Sequence, residues 1–232
     1  MKKLNILYVQ KSTCIRAIKQ ALALQDLANV YLVTSNPPEN TYEIKPDMFR
    51  KVYRIGSSAF DTAQLTAIIN RLIRFDNIDL IHCHNEPDMP TILASKNKHN
   101  IPVVHDTHDA VSIIMKDLAV SSQVQSKFEN IEKQAGLVSA ARICVSQNQL
   151  EYLQDKHHLP MSNNLIVPNC LTQKWAAQTS LPKKSKKGEI HIVYVGGLVY
   201  HDKSHPYYLV DVAKNISDQQ IHLHIYSCNL NF

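Results

Sequence analysis

The residues that decide the fold read Gly188-Glu-Ile-His-Ile-Val-Tyr-Val-Gly-Gly-Leu198, an apolar strand that runs directly into a paired-glycine turn. Such a unit opens an α/β domain, yet the chain ends soon afterwards, at Phe232. An α/β domain needs several strands and helices to cover both faces of its sheet. We therefore expect one complete domain over residues 1–179, a linker over 180–188, and the truncated start of a second domain over 189–232.

Composition narrows the class of protein. The chain has 232 residues, of which 44% are hydrophobic, which is ample for a core. No apolar run reaches the roughly 18 residues that a membrane span requires. The first residues, Met1 to Val9, have too short an apolar stretch for a signal peptide and read as a strand. Five scattered cysteines suit buried thiols in a reducing compartment, so we expect a cytoplasmic protein.

The net charge of +5 permits contact with anionic partners without proving it. Nucleotide diphosphates and acidic lipids are such partners, so peripheral contact with the inner face of the membrane stays open. Four lysines lie in the linker, which we interpret mainly as a solvated connection between domains. Nothing in the sequence indicates a nucleic-acid partner.

Short apolar strands alternate with helical stretches along most of the chain, which predicts a Rossmann-like, doubly wound parallel sheet. A helical stripe of Ile15, Ile18, Leu22 and Leu27 follows the first strand. Asp61 is the predicted N-cap of the next long helix. The predicted strands of the first domain cover residues 4–9, 30–34, 51–55, 79–84, 101–105, 142–145 and 165–167.

Ligands of open parallel sheets bind at the carboxyl ends of the strands. After the first strand comes Gln10-Lys11-Ser12-Thr13, in which Lys11 and Ser12 could face such a crevice. The helix that follows would add a positive N-terminus. Without a glycine, however, an ordinary turn with a Ser or Thr cap is an equal alternative.

A second candidate is His82-Cys83-His84-Asn85-Glu86. Along a strand, the two histidines point to the same side and Cys83 to the other. Two histidines could bind a metal, but no second cluster completes four ligands. We therefore interpret this segment as a polar strand end that lines the crevice, and we expect no metal.

The third candidate, His105-Asp106-Thr107-His108-Asp109, contains two His-Asp pairs at a strand end. An imidazole oriented by a carboxylate could bind a hydroxyl or move a proton near neutral pH. The alternative is that backbone groups satisfy the histidines and that the aspartates cap the next helix. The functional interpretation is the one we prefer.

The fourth candidate is the glycine pair Gly196-Gly197 in the turn after the strand that opens the second domain. Glycines there let a phosphate approach backbone N–H groups. The chain has no Gly-x-Gly-x-x-Gly motif, so a nicotinamide dinucleotide site is not supported.

Taken in order, these pieces resemble the two-domain GT-B nucleotide-sugar glycosyltransferases of family 4. The resemblance runs from about Leu4 to Tyr226. It consists of five motifs, each weak alone and moderately specific as an ordered set. They are Asp79 to His84, Val103 to Asp109, the Glu129-led helix with Val145-Ser146, Val167-Pro168-Asn169, and Val195-Gly196-Gly197-Leu198.

The resemblance implies a role for each candidate. His108 lies beside the donor sugar in such enzymes, and we assign it to catalysis together with Asp109. Gly196 and Gly197 match the turn that meets the donor diphosphate, and Lys203 is the cation nearest to them. The residues assigned to the acceptor side or the cleft are Lys11, Ser12, His84, Asn85 and His105.

The same resemblance implies transfer of a sugar, with retention of its anomeric configuration, from a nucleotide sugar to a glycan or lipid-linked acceptor. It also implies no cofactor and no required metal. The family's Glu-x7-Glu segment is absent, so we expect a truncated form with weak or no activity. The alternative is a non-catalytic Rossmann-like module that pairs with a separate chain.

Overall fold

The computed structural model describes residues 2–36, 47–85, 88–170, 189–195, 214–215 and 221–226. The chain divides into two compact units, Met1–Thr172 and Gln173–Phe232. The predicted linker over residues 180–188 lies outside the described residues. Within the described parts of the chain, every helix is too short or too polar to cross a lipid bilayer.

The first unit is built on a seven-stranded, wholly parallel sheet in the order β3-β2-β1-β4-β5-β6-β7. The strand order reverses between β1 and β4, which is the switch point of a doubly wound sheet. The predicted fold class is thus confirmed. The elements are β1 Leu4–Val9, α1 Ile15–Leu24, β2 Ala28–Asn36, β3 Lys51–Gly56, α2 Ala63–Asp76, β4 Leu80–His84, α3 Met89–Ser95, β5 Val103–Thr107, α4 Val111–Asp117, α5 Ser122–Val138, β6 Ala141–Cys144, α6 Gln147–His157 and β7 Asn164–Ile166.

Both faces of the sheet are buried, as the central strand β1 shows. Leu7 and Val9 point into a core cluster formed largely with α2. Ile6 and Tyr8 point the other way, into a cluster that includes α1. Because successive side chains of a strand alternate between faces, both faces of β1 are apolar from Ile6 to Val9.

Helix α1 packs through a different face from the one that its large apolar residues predict. Ala17, Ile18 and Ala21 are buried, whereas Leu22 is 36% exposed and Leu27, which follows the helix, is 68% exposed. The predicted stripe is correct only at its centre. Alanines bring the helix backbone close to the sheet, and this close approach sets the helix rotation in place of the larger leucines.

Helix α2 begins later than predicted. Thr62, not Asp61, is its N-cap, and Asp61 ends a short 3-10 helix, Ser57–Asp61. The Asp61 carboxylate instead accepts a hydrogen bond from Lys11 Nζ at 3.2 Å. The predicted apolar stripe of α2 is confirmed, since its buried residues are Leu65, Ile69, Leu72 and Ile73.

In the second unit, β8 (Ile190–Val195) and β9 (Ile221–Tyr226) form a parallel two-stranded sheet. His191 lies opposite His222 in the register. The strand predicted from the opening stretch of sequence is therefore present, and the glycine turn after it lies outside the described residues.

Candidate functional site

The carboxyl ends of β4 and β5 lie side by side, and both carry polar residues. Cys83 pairs in register with His105, and His84 pairs with Asp106. The two candidate motifs on these strands therefore meet at one edge of the sheet, where ligands of parallel sheets bind. The loop that carries His108 and Asp109 follows β5 directly.

The two His-Asp pairs expected after β5 do not both form. His105 points toward α3, where its Nδ1 lies 2.7 Å from Thr91 Oγ1 and its Nε2 lies 3.4 Å from Asp88 Oδ1. Asp106 points to the opposite face of the sheet, as the alternation of a strand requires. His105 is buried at 2% exposure, so it packs beneath the surface in this unit.

Asp106 is the centre of a buried charge network on the α1 side of the sheet. Its two carboxylate oxygens accept hydrogen bonds from Arg16 Nε at 3.0 and 3.1 Å, and Oδ2 also accepts from Gln20 at 2.7 Å. Burial raises the pKa of Asp106, but the neighbouring imidazoles and Arg16 outweigh it and hold the pKa below its usual value. The carboxylate is therefore ionised at neutral pH.

His82 and His84 stack beside this carboxylate, with ring centroids 4.5 Å apart. His82 Nε2 and His84 Nδ1 lie 3.5 and 3.7 Å from Asp106 Oδ2. Burial, and secondarily His82, holds the pKa of His84 well below its usual value, so this imidazole is neutral. The predicted shared direction of the two histidines is confirmed, but both are enclosed.

His82, His84 and Asp106 could bring three ligand atoms to a metal, since these atoms lie within 4.8 Å of one another. The buried Arg16 guanidinium opposes this, because it already holds both oxygens of Asp106. A divalent cation beside it would meet strong repulsion in a low-dielectric interior. The cluster is better explained as a charge and hydrogen-bond network, and the absence of a metal requirement stays a prediction.

Arg16 also ties the end of the first unit to this network. Its Nη1 donates to the Val167 carbonyl at 2.8 Å and to Asn169 Oδ1 at 3.1 Å. Sequence reasoning missed Arg16, although an arginine four residues before Gln20 puts both on one face of α1. This residue links α1, β5 and the Val-Pro-Asn segment.

His108 and Asp109 lie at the surface of the same sheet edge. His108 Nε2 is 3.5 Å from Asp109 Oδ2, and the two side chains are 18% and 48% exposed. Burial lowers the pKa of His108 more than Asp109 raises it, so the imidazole is neutral at pH 7. A neutral imidazole can both donate and accept a hydrogen bond, which suits recognition of a hydroxyl.

These two residues border a pocket of about 430 Å³ between the β5 loop, α4 and α6. Most of its wall is hydrophobic, with polar groups at His108, Asp109 and the start of α6. A concave, mostly apolar surface with a few convergent polar groups is the usual form of a small-molecule site. The remaining lining residues are Ala110, Ile113, Ile114, Val145, Asn148, Gln149 and Tyr152.

Asn85 holds the loop that carries these residues. Its Oδ1 accepts from the His108 backbone N–H at 3.0 Å, and its Nδ2 donates to the Asp109 carbonyl at 2.5 Å. Asn85 is 1% exposed. In this unit both ends of its amide are engaged by the loop, which differs from the ligand contact that the sequence predicts.

A buried histidine–glutamate pair supports α4, the helix after that loop. His157 Nε2 lies 2.6 Å from Glu132 Oε2, and Glu132 Oε1 accepts from the Ser112 N–H in the first turn of α4. Burial raises the pKa of Glu132, but hydrogen bonds from His157 and Ser112 outweigh it and lower the pKa. This pair is not apparent from the sequence, because the two side chains come from different helices, α5 and α6.

The family model of glycosyltransferase family 4 matches residues 13–172, which is more than half of the chain. The chain belongs to glycosyltransferase family 4. The matched range contains the first four of the five ordered motifs, and the fifth, Val195 to Leu198, lies outside it. No curated protein sequence matches the chain.

Solved structures share the fold of this family 4 chain. Sucrose-phosphate synthase from Thermosynechococcus elongatus is 17% identical with a TM-score of 0.64, over 95% of this chain and 62% of its own. Anabaena HepE, in complex with UDP and glucose, is 12% identical with a TM-score of 0.56, over 96% and 60%. A glycosyltransferase from Rickettsia africae is 13% identical with a TM-score of 0.54, over 98% and 69%.

These identities show a common fold and no more. The chain spans about three fifths of the length of the first two structures, 62% and 60%. They confirm that the family 4 chain has the glycosyltransferase fold that the sequence predicts. Substrate and activity need arguments from the site.

The turn after β1 carries Lys11 and Ser12, which the sequence predicts to line the crevice. Lys11 bonds Asp61, and Ser12 is exposed. Neither Ser12 nor Thr13 caps α1, since Cys14 is the N-cap residue and its N–H is satisfied by Gln10 Oε1 at 3.2 Å. The alternative of a Ser or Thr cap is thus wrong, and a cleft role for Lys11 and Ser12 stays a prediction.

The donor-side residues of the family 4 pattern, Gly196, Gly197 and Lys203, lie outside the described residues, as does Glu86. The structure brings together His84, Asn85, His105 and His108 at one sheet edge. Of these, only His108 reaches the pocket surface. The acceptor assignments of the other three stay predictions. Their contacts suit residues that support the loop of His108 from beneath.

Asn85→Ala should loosen the loop that carries His108 and Asp109 without moving the sheet. We expect a cost of about 1–3 kcal/mol in the free energy of unfolding, because two buried backbone groups lose their partner. Amide hydrogen exchange at His108 should become faster. The control is Asn97→Ala, since Asn97 is a buried amide that bonds a different loop, through Ala94 and Ile101. Unchanged hydrogen exchange at His108 in folded Asn85→Ala would contradict the role of Asn85 in holding this loop.

Proposed function

We propose that this protein transfers a sugar from a nucleotide-sugar donor to a glycan or lipid-linked acceptor, with retention of anomeric configuration. The observation that carries the proposal is the His108–Asp109 pair at the mouth of the pocket after β5. Membership of glycosyltransferase family 4 supports the reaction class.

The pair can act without a bound cofactor. A neutral His108 can hydrogen-bond a sugar hydroxyl, and the half-exposed Asp109 carboxylate beside it can fix the direction of that bond. Positioning of this kind contributes to catalysis by holding the reacting groups in line. The network under the loop, from Asn85 to Asp106, keeps the pair in place.

The apolar wall of the pocket supports an acceptor with a hydrophobic part. Ile113 is 40% exposed where it lines the pocket. An exposed apolar side chain next to polar groups suits an acceptor that combines a glycan end with an aliphatic portion. We propose that such an acceptor enters on this side of the first unit.

Peripheral contact with a membrane is a further part of the proposal. A second pocket, of about 530 Å³, is lined by Arg71, Arg74, Lys98 and His99, next to Phe75 at 69% exposure. These residues precede β4 and β5, so they lie at the opposite edge of the sheet from His108. Basic side chains around an exposed aromatic ring support binding to an anionic lipid surface. Co-sedimentation with anionic vesicles measures this contact.

For the donor, we propose a nucleoside diphosphate sugar bound at the Gly196-Gly197 turn of the second unit. The complex of Anabaena HepE with UDP and glucose is consistent with this donor class.

Isothermal titration with UDP-glucose and other common nucleotide sugars tests the proposal. We expect saturable binding that Gly197→Pro reduces by roughly 10- to 100-fold, because one backbone N–H bond to a charged phosphate is lost. The matched control is Gly56→Ala, since a Cβ there meets no atom within 4 Å. Absence of binding to every donor, or an unchanged affinity in Gly197→Pro, would contradict the proposed donor site.

A further inference from the structure

Four side chains with metal-binding chemistry lie on one face of the two-stranded sheet of the second unit. Glu189 and His191 come from β8 and the residue before it, and His222 and His224 come from β9. The ring of His191 lies 4.9 Å from that of His222 and 5.1 Å from that of His224. We call these four residues the histidine patch.

The spacing follows from the strand register. His191 lies directly opposite His222, and residues two apart on one strand share a face. Two imidazoles and a carboxylate, from Glu189, His191 and His222, bring their ligand atoms within 4.8 Å of one another. Zinc holds such atoms at about 2.0–2.2 Å in a tetrahedral site, which needs only small side-chain rotations from this arrangement.

The hydrogen bonding of His191 fits a metal ligand. Its Nδ1 lies 2.8 Å from His224 Nε2, while its Nε2 lies 3.5 Å from Glu189 Oε2. When Nδ1 donates to His224, Nε2 is left to act as an acceptor and faces the carboxylate. A cation between Nε2 and the carboxylate oxygen would be attracted to both. Metal-binding histidines commonly donate their other ring N–H to a neighbouring acceptor in this way.

We propose that the histidine patch binds one divalent transition-metal ion through Glu189, His191 and His222, with His224 orienting His191. Imidazole with carboxylate suits zinc, and also copper or nickel. The ion would join two strands, Ile190–Val195 and Ile221–Tyr226, and so stabilise this sheet by linkage. The proposal is independent of the transfer reaction, whose site residues in the first unit lie on other elements.

Zinc titration of the untagged, full chain by calorimetry tests the site. We expect one equivalent to bind, stoichiometric binding to be lost in His191→Gln and in His222→Gln, and His224→Gln to weaken it by roughly 10- to 100-fold, as for other supporting partners. His99→Gln removes an exposed histidine of the first unit and should leave the affinity unchanged.

A second variant separates the patch from the buried cluster of the first unit. His84→Gln should leave zinc binding unchanged, because His84 is not in the patch. Loss of binding in His84→Gln, retention of full affinity in His222→Gln, or no zinc binding by the folded chain would each overturn the proposal. Replacing zinc with Co²⁺ adds a spectroscopic check, since a tetrahedral nitrogen and oxygen site absorbs visible light far more intensely than an adventitious octahedral hydrated ion.

Discussion

Arg16→Ala should lower the free energy of unfolding by about 3–5 kcal/mol, because it leaves a buried carboxylate without its cation. Arg16 Nε lies 3.0 Å from Asp106 Oδ1, and the two side chains are 5% and 0% exposed. The variant also removes the donor to the Val167 carbonyl. Urea denaturation at pH 7, followed by circular dichroism, measures the change.

The control is an exposed pair in the same unit. Lys11 and Asp61 lie 3.2 Å apart, with side chains that are 26% and 50% exposed. Lys11→Ala should therefore cost less than about 1 kcal/mol. Should Arg16→Ala cost no more than Lys11→Ala, the buried network is not formed. If Arg16→Ala fails to fold, Asp106→Asn replaces it, since the amide keeps the shape and can still accept from Arg16.

Acidification gives a separate measure of the same network. The pKa of Asp106 is below its usual value in the folded chain, so its charge stabilises the fold at pH values above the unfolded pKa of about 3.9. This contribution is lost as the pH falls below about 4 toward the folded pKa. Wild-type protein should lose stability more steeply over that window than Asp106→Asn does. Equal slopes for the two proteins would contradict the assignment.

The fold was predictable because short, largely apolar strands alternate with helical stretches along the first unit. Such strands leave little choice but a parallel sheet covered by helices. Which face of each helix packs on the sheet was harder to predict. Judged by size, Leu22 and Leu27 belong in the core, yet Ala17 and Ala21 set how closely α1 approaches the sheet. Size alone does not encode that distance.

The site was predictable at the level of which strand ends meet. Which side chain reaches solvent depended on partners distant in sequence. Arg16 and Asp106 are 90 residues apart, so no local sequence pattern indicates that they pair. Asn85 is a residue type that often contacts ligands, but its side-chain amide bonds the backbone of the loop after β5. Alternation along β5 places His105 and Asp106 on opposite faces, whereas the sequence analysis treats these neighbours as a His-Asp pair.

His108→Ala should reduce the rate of sugar transfer by roughly 10²–10⁴-fold, the usual contribution of a positioned acid–base or hydrogen-bonding group. The assay needs a chimera in which the complete second domain of a characterised family 4 enzyme replaces residues 188 onward. The fold should survive the substitution, because the loop is held through the His108 backbone N–H and not through its imidazole. Circular dichroism and the urea midpoint verify this. The control is His158→Asn, which removes an exposed imidazole at the left-handed C-cap of α6 and keeps a residue that accepts that conformation.

The pH profile separates a chemical role from a structural one. Burial lowers the pKa of His108 more than Asp109 raises it, so the neutral ring persists to pH values below the usual 6.5 or so of histidine. Transfer by the chimera should therefore hold constant through neutral pH and fall only under more acidic conditions, as the imidazole gains a proton. In His108→Ala this acidic limb should disappear along with most of the rate. A folded variant that keeps both the rate and the limb would show that the His108–Asp109 pair serves the loop and not the reaction, since a side chain that touches the sugar cannot be removed without changing either.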